Sequence, residues 1–249
     1  MPGQETEPSA AAVSGAPAES AGLLDNPIWH SLRTGHAAIA LGHERARRYP
    51  SHIGPLAGIP EQHEENYRAL AALAPADIVV MFALEPYRLP KGWTELHTMD
   101  VPQMVRSPEL ADERESRAAE TEVMRRLTAE DAPAMVALAG LTEPGPFRLG
   151  TLALGGYYGI FEGPSLVAMT GRRMRLPGLV EVSAVCTHPH ARGRGYARRL
   201  MTQVIGEIEQ EGNTAFLHVR DGNPAIRLYE QLGFRRRQTF RCAVLKCSH

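Results

Sequence analysis

The 249-residue chain has three cysteines, no apolar run near membrane-span length and no surplus of charge of either sign, and each shortage removes a class of function. Cys186, Cys242 and Cys247 make neither an even disulfide framework nor a C-x-x-C metal knuckle, which fits a reducing compartment and predicts no metal site. No stretch approaches the roughly 18 consecutive apolar residues of a membrane helix, and the first residues lack a basic segment followed by an apolar one. A cytoplasmic protein without a membrane partner is therefore expected. Lys and Arg number 27 against 28 Asp and Glu, so the whole chain has no general attraction for nucleic acid, although Arg192 to Arg199 and Arg235 to Arg237 are locally basic. Residues 1–22 hold almost no large apolar side chain and cannot offset the entropy of ordering, so they are read as a disordered tail.

What the chain does have is 43% apolar residues, enough for a core, and one stretch, Gly178 to Gly233, that concentrates its chemistry. Leu179 to Thr187 (LVEVSAVCT) is β-branched and apolar, as a strand covered on both faces should be. His188-Pro189 stops it, because proline has no N–H to give a ladder. Arg192-Gly193-Arg194-Gly195-Tyr196-Ala197 follows and runs into a segment whose Ala197, Leu200, Met201, Val204, Ile205 and Ile208 recur at helical spacing. A glycine turn feeding a helix N-terminus presents free backbone N–H groups and the positive end of the helix dipole, which together make a phosphate site. The loop lacks the Gly-Lys-Ser/Thr ending of a Walker loop, and Arg198 stands where a dinucleotide fingerprint needs its third glycine.

Downstream, Thr214 to Arg220 reads as a second strand, Asp221 to Pro224 as a turn and cap, and Ala225 to Leu232 as a helix closed by Gly233-Phe234. The loop resembles the R-x-x-G-x-G/A segment of the GNAT acetyltransferase superfamily, and NPAIRLYEQLGF resembles that superfamily's second signature. The resemblance covers roughly Thr121 to Lys246. It implies a GNAT acyl-CoA N-acyltransferase fold of the α/β (α+β) class: a mixed, mostly antiparallel sheet flanked by helices, with Leu179–Thr187 its fourth strand. It also implies acetyl-CoA as acyl donor and direct attack of a primary amine on the thioester through a tetrahedral intermediate.

The remaining segments complete that picture. Asp25 to Pro27 can cap a helix carrying Trp29 and Leu32 and extending to Ile39 and Leu41, Glu61 to Ala74 is a second helix, and Asp77 to Leu84 and Trp93 to Met99 are strands. Residues 23–106 thus form a smaller α/β half, open to being a degenerate copy of the second, and 107–120 a charged linker. Residues 121–249 form the GNAT domain. It begins with a strand over Thr121–Leu127 and a helix capped by Thr128 with Asp131, and continues with a hairpin of Gly155–Phe161 and Ser165–Gly171.

The resemblance also assigns roles. The amides of Arg192, Gly193, Arg194, Gly195, Tyr196 and Ala197 would hold the pyrophosphate, and the edge of Val185, Cys186 and Thr187 would pair with the pantetheine arm. The Val185 amide would stabilise the oxyanion, and Tyr229 would protonate the leaving thiolate. Glu181 shares strand parity with Ser183, Val185 and Thr187 and would be the base, or else pairs with Arg172 or Arg173. Tyr229 has packing as its alternative, Asn223 either reaches the pantetheine or caps its helix, and each loop arginine either meets phosphate or is a solvated charge. Cys186 is a core hydrophobe on this reading, and His218 lies in the core or at its rim. The acceptor is a small-molecule or peptide amine and the chain a monomer or homodimer. The competing functions are a non-catalytic acyl-CoA sensor or partner-binding protein, and an RNA-binding protein using the arginine-glycine loop.

Overall fold

The computed structural model describes residues 22–74, 77–111 and 123–248. The expected tail, apart from Gly22, and most of the expected linker lie outside that set, as do Thr121 and Glu122. After a 3-10 turn at Gly22–Asp25, α1 (Pro27–Arg33) opens with proline at its first turn, where no N–H is missed, and buries Ile28, Trp29 and Leu32. It stops well short of Ile39 and Leu41, whose inclusion is corrected here: the Thr34 hydroxyl hydrogen-bonds the His30 carbonyl and the chain turns away at Gly35. Leu41–Gly42 (β1), Arg47–Arg48 (β2) and Ala57–Gly58 (β3) form a small sheet. Glu64–Leu73 (α2) then packs Tyr67 and Leu70 inward.

The main sheet uses β4 (Ile78–Ala83), β5 (Trp93–Arg106), β6 (Val123–Arg126), β7 (Tyr157–Glu162), β8 (Ser165–Leu176), β9 (Leu179–Thr187), β10 (Thr214–His218) and β11 (Phe234–Cys247). Three helices belong to the same half: α3 (Ala132–Thr142), α4 (Tyr196–Gln210) and α5 (Ile226–Gln231). Thr128 and Asp131 make the expected capping box ahead of α3, with the Thr128 amide 2.8 Å from Asp131 Oδ2. Strand order is β4-β11-β5-β10-β9-β8-β7-β6, and among these described strands β9 and β10 are the one pair of neighbours that runs parallel. The expected mixed, mostly antiparallel sheet is present, with β9 fourth from the β6 edge. Among the described residues no helix is long and apolar enough to cross a membrane.

The N-terminal half does not keep its strands to itself. β5 lies between β10 and β11, pairing Gln103–Val105 with Phe216–His218 on one side and nearly its whole length with β11 on the other. One face of the sheet buries Leu24, Ile28, Tyr49, Met174, Leu179 and Phe216 together, so α1 and its neighbours roof the β8–β9–β10 region. The other face buries Val180, Val182 and Phe234 with Met201, Val204, Ile205 and Ile208 of α4. At about 1.5–3 kcal/mol for each large apolar side chain removed from water, these two layers fix β9 firmly in the middle of the molecule.

Candidate active site

β9 is sewn to β10 only at its beginning. Leu179, Val180 and Glu181 pair with Thr214, Ala215 and Phe216; beyond that point β10 continues alongside β5, while β9 keeps only β8. The two strands therefore part, and the edge from Val182 to Thr187 has no strand partner on the β10 side among the described residues. On the β8 side Met169 pairs with Cys186 and Gly171 with Ser183, so β9 carries one extra residue there. That bulge includes Ala184 in the left-handed region, φ 52°. A non-glycine residue held at positive φ costs energy and persists where the surroundings over-determine it.

The bulge corrects the expected strand parity. Glu181 and Leu179 face the α1 side, but Val185 packs with Val180 and Val182 on the α4 side, and Ala184 and Cys186 take the face under α3. Glu181 and Val185 therefore point to opposite faces. Glu181 is wholly buried. Arg173 clasps it with Nε and Nη2, both 2.7 Å from carboxylate oxygens, and His218 Nδ1 lies 2.8 Å from Oε1. Burial alone would raise the pKa of this carboxyl, but the charge and hydrogen bonds of Arg173, aided by His218, hold it at about 2. An anion so deep and so fully bonded cannot take a proton from an ammonium with a reference pKa near 10. The expectation that Glu181 is the base gives way to its alternative, the ion pair with Arg173.

The glycine loop forms as expected. A 3-10 turn at Pro189–Ala191 leads to Gly193 and Gly195, at φ 78° and 79°, with Gly195 at the cap of α4. Nothing lies within 4 Å of where a Cβ on Gly193 would stand, so conformation and not crowding requires glycine there. Glu162, at the end of β7, accepts from Arg194 Nη1 at 2.7 Å and from the Tyr196 hydroxyl at 2.9 Å. Arg192 Nε reaches the Thr187 carbonyl at 3.4 Å. Arg198 Nη2 donates to Gln231 Oε1, while its Nη1 is buried with no partner. Ala197 follows Tyr196 in the first turn of α4.

Tyr229, on α5, is 6% exposed and packs edge-on to Phe234. Burial first, and then the Cys186 thiol nearby, push its phenol well above the ordinary value, so it is protonated at neutral pH. Asn223 Oδ1 accepts the Ala225 amide at 2.9 Å, which is the capping alternative. Cys186 is 1% exposed, and burial pushes its thiol up to about 11, as fits a core hydrophobe. His188 and His190 stack on each other in the turn, 4.1 Å between ring centroids. Sequence reasoning missed the weight carried by His218; its one signal was a lone titratable residue inside an otherwise apolar strand.

A sheet that opens beside a bulged strand, with a glycine loop at the head of the helix that follows, defines a protein of the acyltransferase class. Residues 157–242 match the family model described as FR47-like protein. A solved GNAT-family protein from Novosphingobium aromaticivorans is 36% identical over 91% of this chain and 99% of its own, with a TM-score of 0.80. The chain belongs to the GNAT family. A GCN5-related N-acetyltransferase from Kribbella flavida shares the fold at 17% identity, over 87% of this chain and 93% of its own, with a TM-score of 0.60. So does a tandem GNAT protein from the clavulanic acid biosynthesis pathway, at 12% identity over 82% and 78% of the two chains and a TM-score of 0.52. No curated protein matches the chain.

Proposed function

We propose that the protein is an N-acetyltransferase that moves an acetyl group from acetyl-CoA to a primary amine in the cytoplasm. The observation that carries this reading is the parting of β9 from β10 in the strand that leads into the Gly193–Gly195 loop. A free strand edge suits an extended amide-bearing arm that pairs as a further strand, and backbone amides at a helix N-terminus suit a pyrophosphate. Val182 to Thr187 supply the edge, Arg192 to Ala197 the amides, and Arg198, in the first turn of α4, a buried guanidinium nitrogen, Nη1, without a hydrogen-bond partner. The Val185 amide, at the bulge, stabilises the oxyanion, and Tyr229 delivers a proton to the departing thiolate. The amine loses its proton to solvent, since Glu181 is engaged elsewhere. Residues 23–106 roof the acceptor side, and α1 and β5 shape what enters.

Calorimetry with coenzyme A tests the reading, followed by acetyl transfer from acetyl-CoA to a panel of polyamines, amino acids, aminoglycosides and peptide N-termini. Gly195→Val, which places a β-branched residue at φ 79°, should lower coenzyme A affinity at least about 100-fold while leaving the circular dichroism of the parent. Undiminished affinity would remove the loop from the site. One observation favours a second reading, a non-catalytic acyl-CoA sensor: the acid expected to be the base is sealed in an ion pair. Tight coenzyme A binding with no transfer to any amine in the panel would favour that alternative.

A further inference from the structure

A continuous polar chain, exposed at Asp25 and buried from Gln103 inward, runs from the N-terminal segment to the point where β9 and β10 part. Asp25 Oδ1 accepts from Arg237 Nη2 at 2.7 Å, and Arg237 Nη1 donates to Gln103 Oε1 at 3.1 Å. Fixing the Gln103 oxygen in this way turns its amide nitrogen toward the Leu24 carbonyl, at 3.1 Å, and toward His218 Nε2, at 3.2 Å. His218 Nε2 must then accept, so its proton sits on Nδ1 and is donated to Glu181, 2.8 Å away. Gln103 and Glu181 are 0% exposed, and the side chain of His218 is 2% exposed. His218 has no lone pair left for a substrate, and protonating Nε2 would set it against the Gln103 N–H. It is a neutral bridge.

Its position in the sheet gives the bridge a task. Glu181 ends the paired stretch of β9, and His218 stands on β10 two residues past its partner Phe216. The Glu181–His218 hydrogen bond therefore crosses from β9 to β10 just where the backbone ladder stops, while Arg173 ties the same carboxylate to β8. Phe82, Phe216 and Phe240 surround the imidazole at centroid distances of 4.8, 5.8 and 5.5 Å and prevent it from swinging away. We infer that Glu181 and His218 are positioning residues that set the angle at which the two strands open, and that the chain through Gln103 and Arg237 lets the N-terminal segment hold that angle. This inference rests on the cleft being the coenzyme A site.

The test compares His218→Phe, which keeps a ring among the phenylalanines but removes the donor, with His218→Asn, whose amide nitrogen stands near the place of Nδ1. With folding followed by circular dichroism, His218→Phe should weaken coenzyme A binding about 10-fold or more by calorimetry, and His218→Asn should stay within about 3-fold of the parent. The acidic limb of the pH–rate profile should be unchanged in both. If His218→Phe binds like the parent, or removes the acidic limb while binding normally, the inference is overturned. Should His218→Phe fail to fold, His218→Leu supplies the donor-free variant under the same criteria. A parent that does not bind coenzyme A refutes the proposed function itself, a different result from a parent that binds and a variant that binds equally well.

Discussion

The two ends of β9 are built on opposite principles. From Leu179 to Val182 the strand has apolar layers on both faces, pairs with β10 as far as Glu181, and has its one charge neutralised by Arg173. From Ser183 to Thr187 it has a bulge, a residue at positive φ and, among the described residues, no strand partner on the β10 side. Within one nine-residue strand, a place where the one charge is fully bonded gives way to one where the edge toward β10 has no strand partner among the described residues. Unsatisfied backbone beside a rigid scaffold is what a ligand can complete, and the rigidity of the first end makes the second usable. The lesson is that Glu181, which sequence parity placed on one face with Ser183, Val185 and Thr187, belongs to the rigid end.

The sharpest way to break this contrast is to remove the anion from the rigid end. Glu181→Ala leaves the Arg173 guanidinium buried without its partner, a change that typically costs about 3–5 kcal/mol, and urea denaturation should show a loss of that order. Because the folded pKa of about 2 lies below the unfolded reference near 4.5, the parent holds this stabilisation above that reference and loses it as pH falls toward 2. Melting temperature should therefore drop through that window in the parent, and this part of the slope should be missing in Glu181→Gln. A parent whose stability is flat between pH 5 and 2 would contradict the ion pair.

The next effect is smaller and lies at the open end. Tyr229→Phe should keep coenzyme A affinity, because the ring and its contact with Phe234 remain, yet lose roughly 10- to 100-fold in turnover. The loss should shrink with acyl donors whose thiol is more acidic, since such thiolates depart without a proton. Equal turnover for every donor would reduce Tyr229 to packing. Smallest is Asn223→Ala, which removes the acceptor for the Ala225 amide and should cost about 1 kcal/mol of stability while leaving coenzyme A affinity within about 3-fold. A large loss of affinity there would return Asn223 to the pantetheine.

Much of the cleft was legible because its signals are local. β9 has the expected bounds Leu179–Thr187, and Gly193 and Gly195 stand at the positive φ angles their residue type announces. The capping box at Thr128 and the left-handed Gly233 closing α5 were readable for the same reason. What failed was non-local. The bulge passes through Ala184, a residue whose type gives no notice of φ 52°, so period-2 counting put Glu181 and Val185 on one face. The choice between Arg172 and Arg173 as the partner of Glu181 depended on β8, where the register with β9 is itself irregular between Arg172 and Arg175. The length of β5, and its place between β10 and β11, rest on pairings with residues more than 100 positions away, beyond the reach of any local period.

The place of β5 also sets a timetable for synthesis. Arg106 leaves the ribosome roughly 130 residues before its neighbour Phe234, a delay on the order of 10 s at typical elongation rates. For most of that interval β5 has neither neighbour available, since β10 emerges only shortly before β11, and the slot it occupies is not complete until β11 emerges. A C-terminal fragment made alone would meet the reverse difficulty, with β10 and β11 complete and the space of one strand empty between them. The nascent chain thus spends its most adhesive moments waiting, and the main sheet closes in one late, shared step.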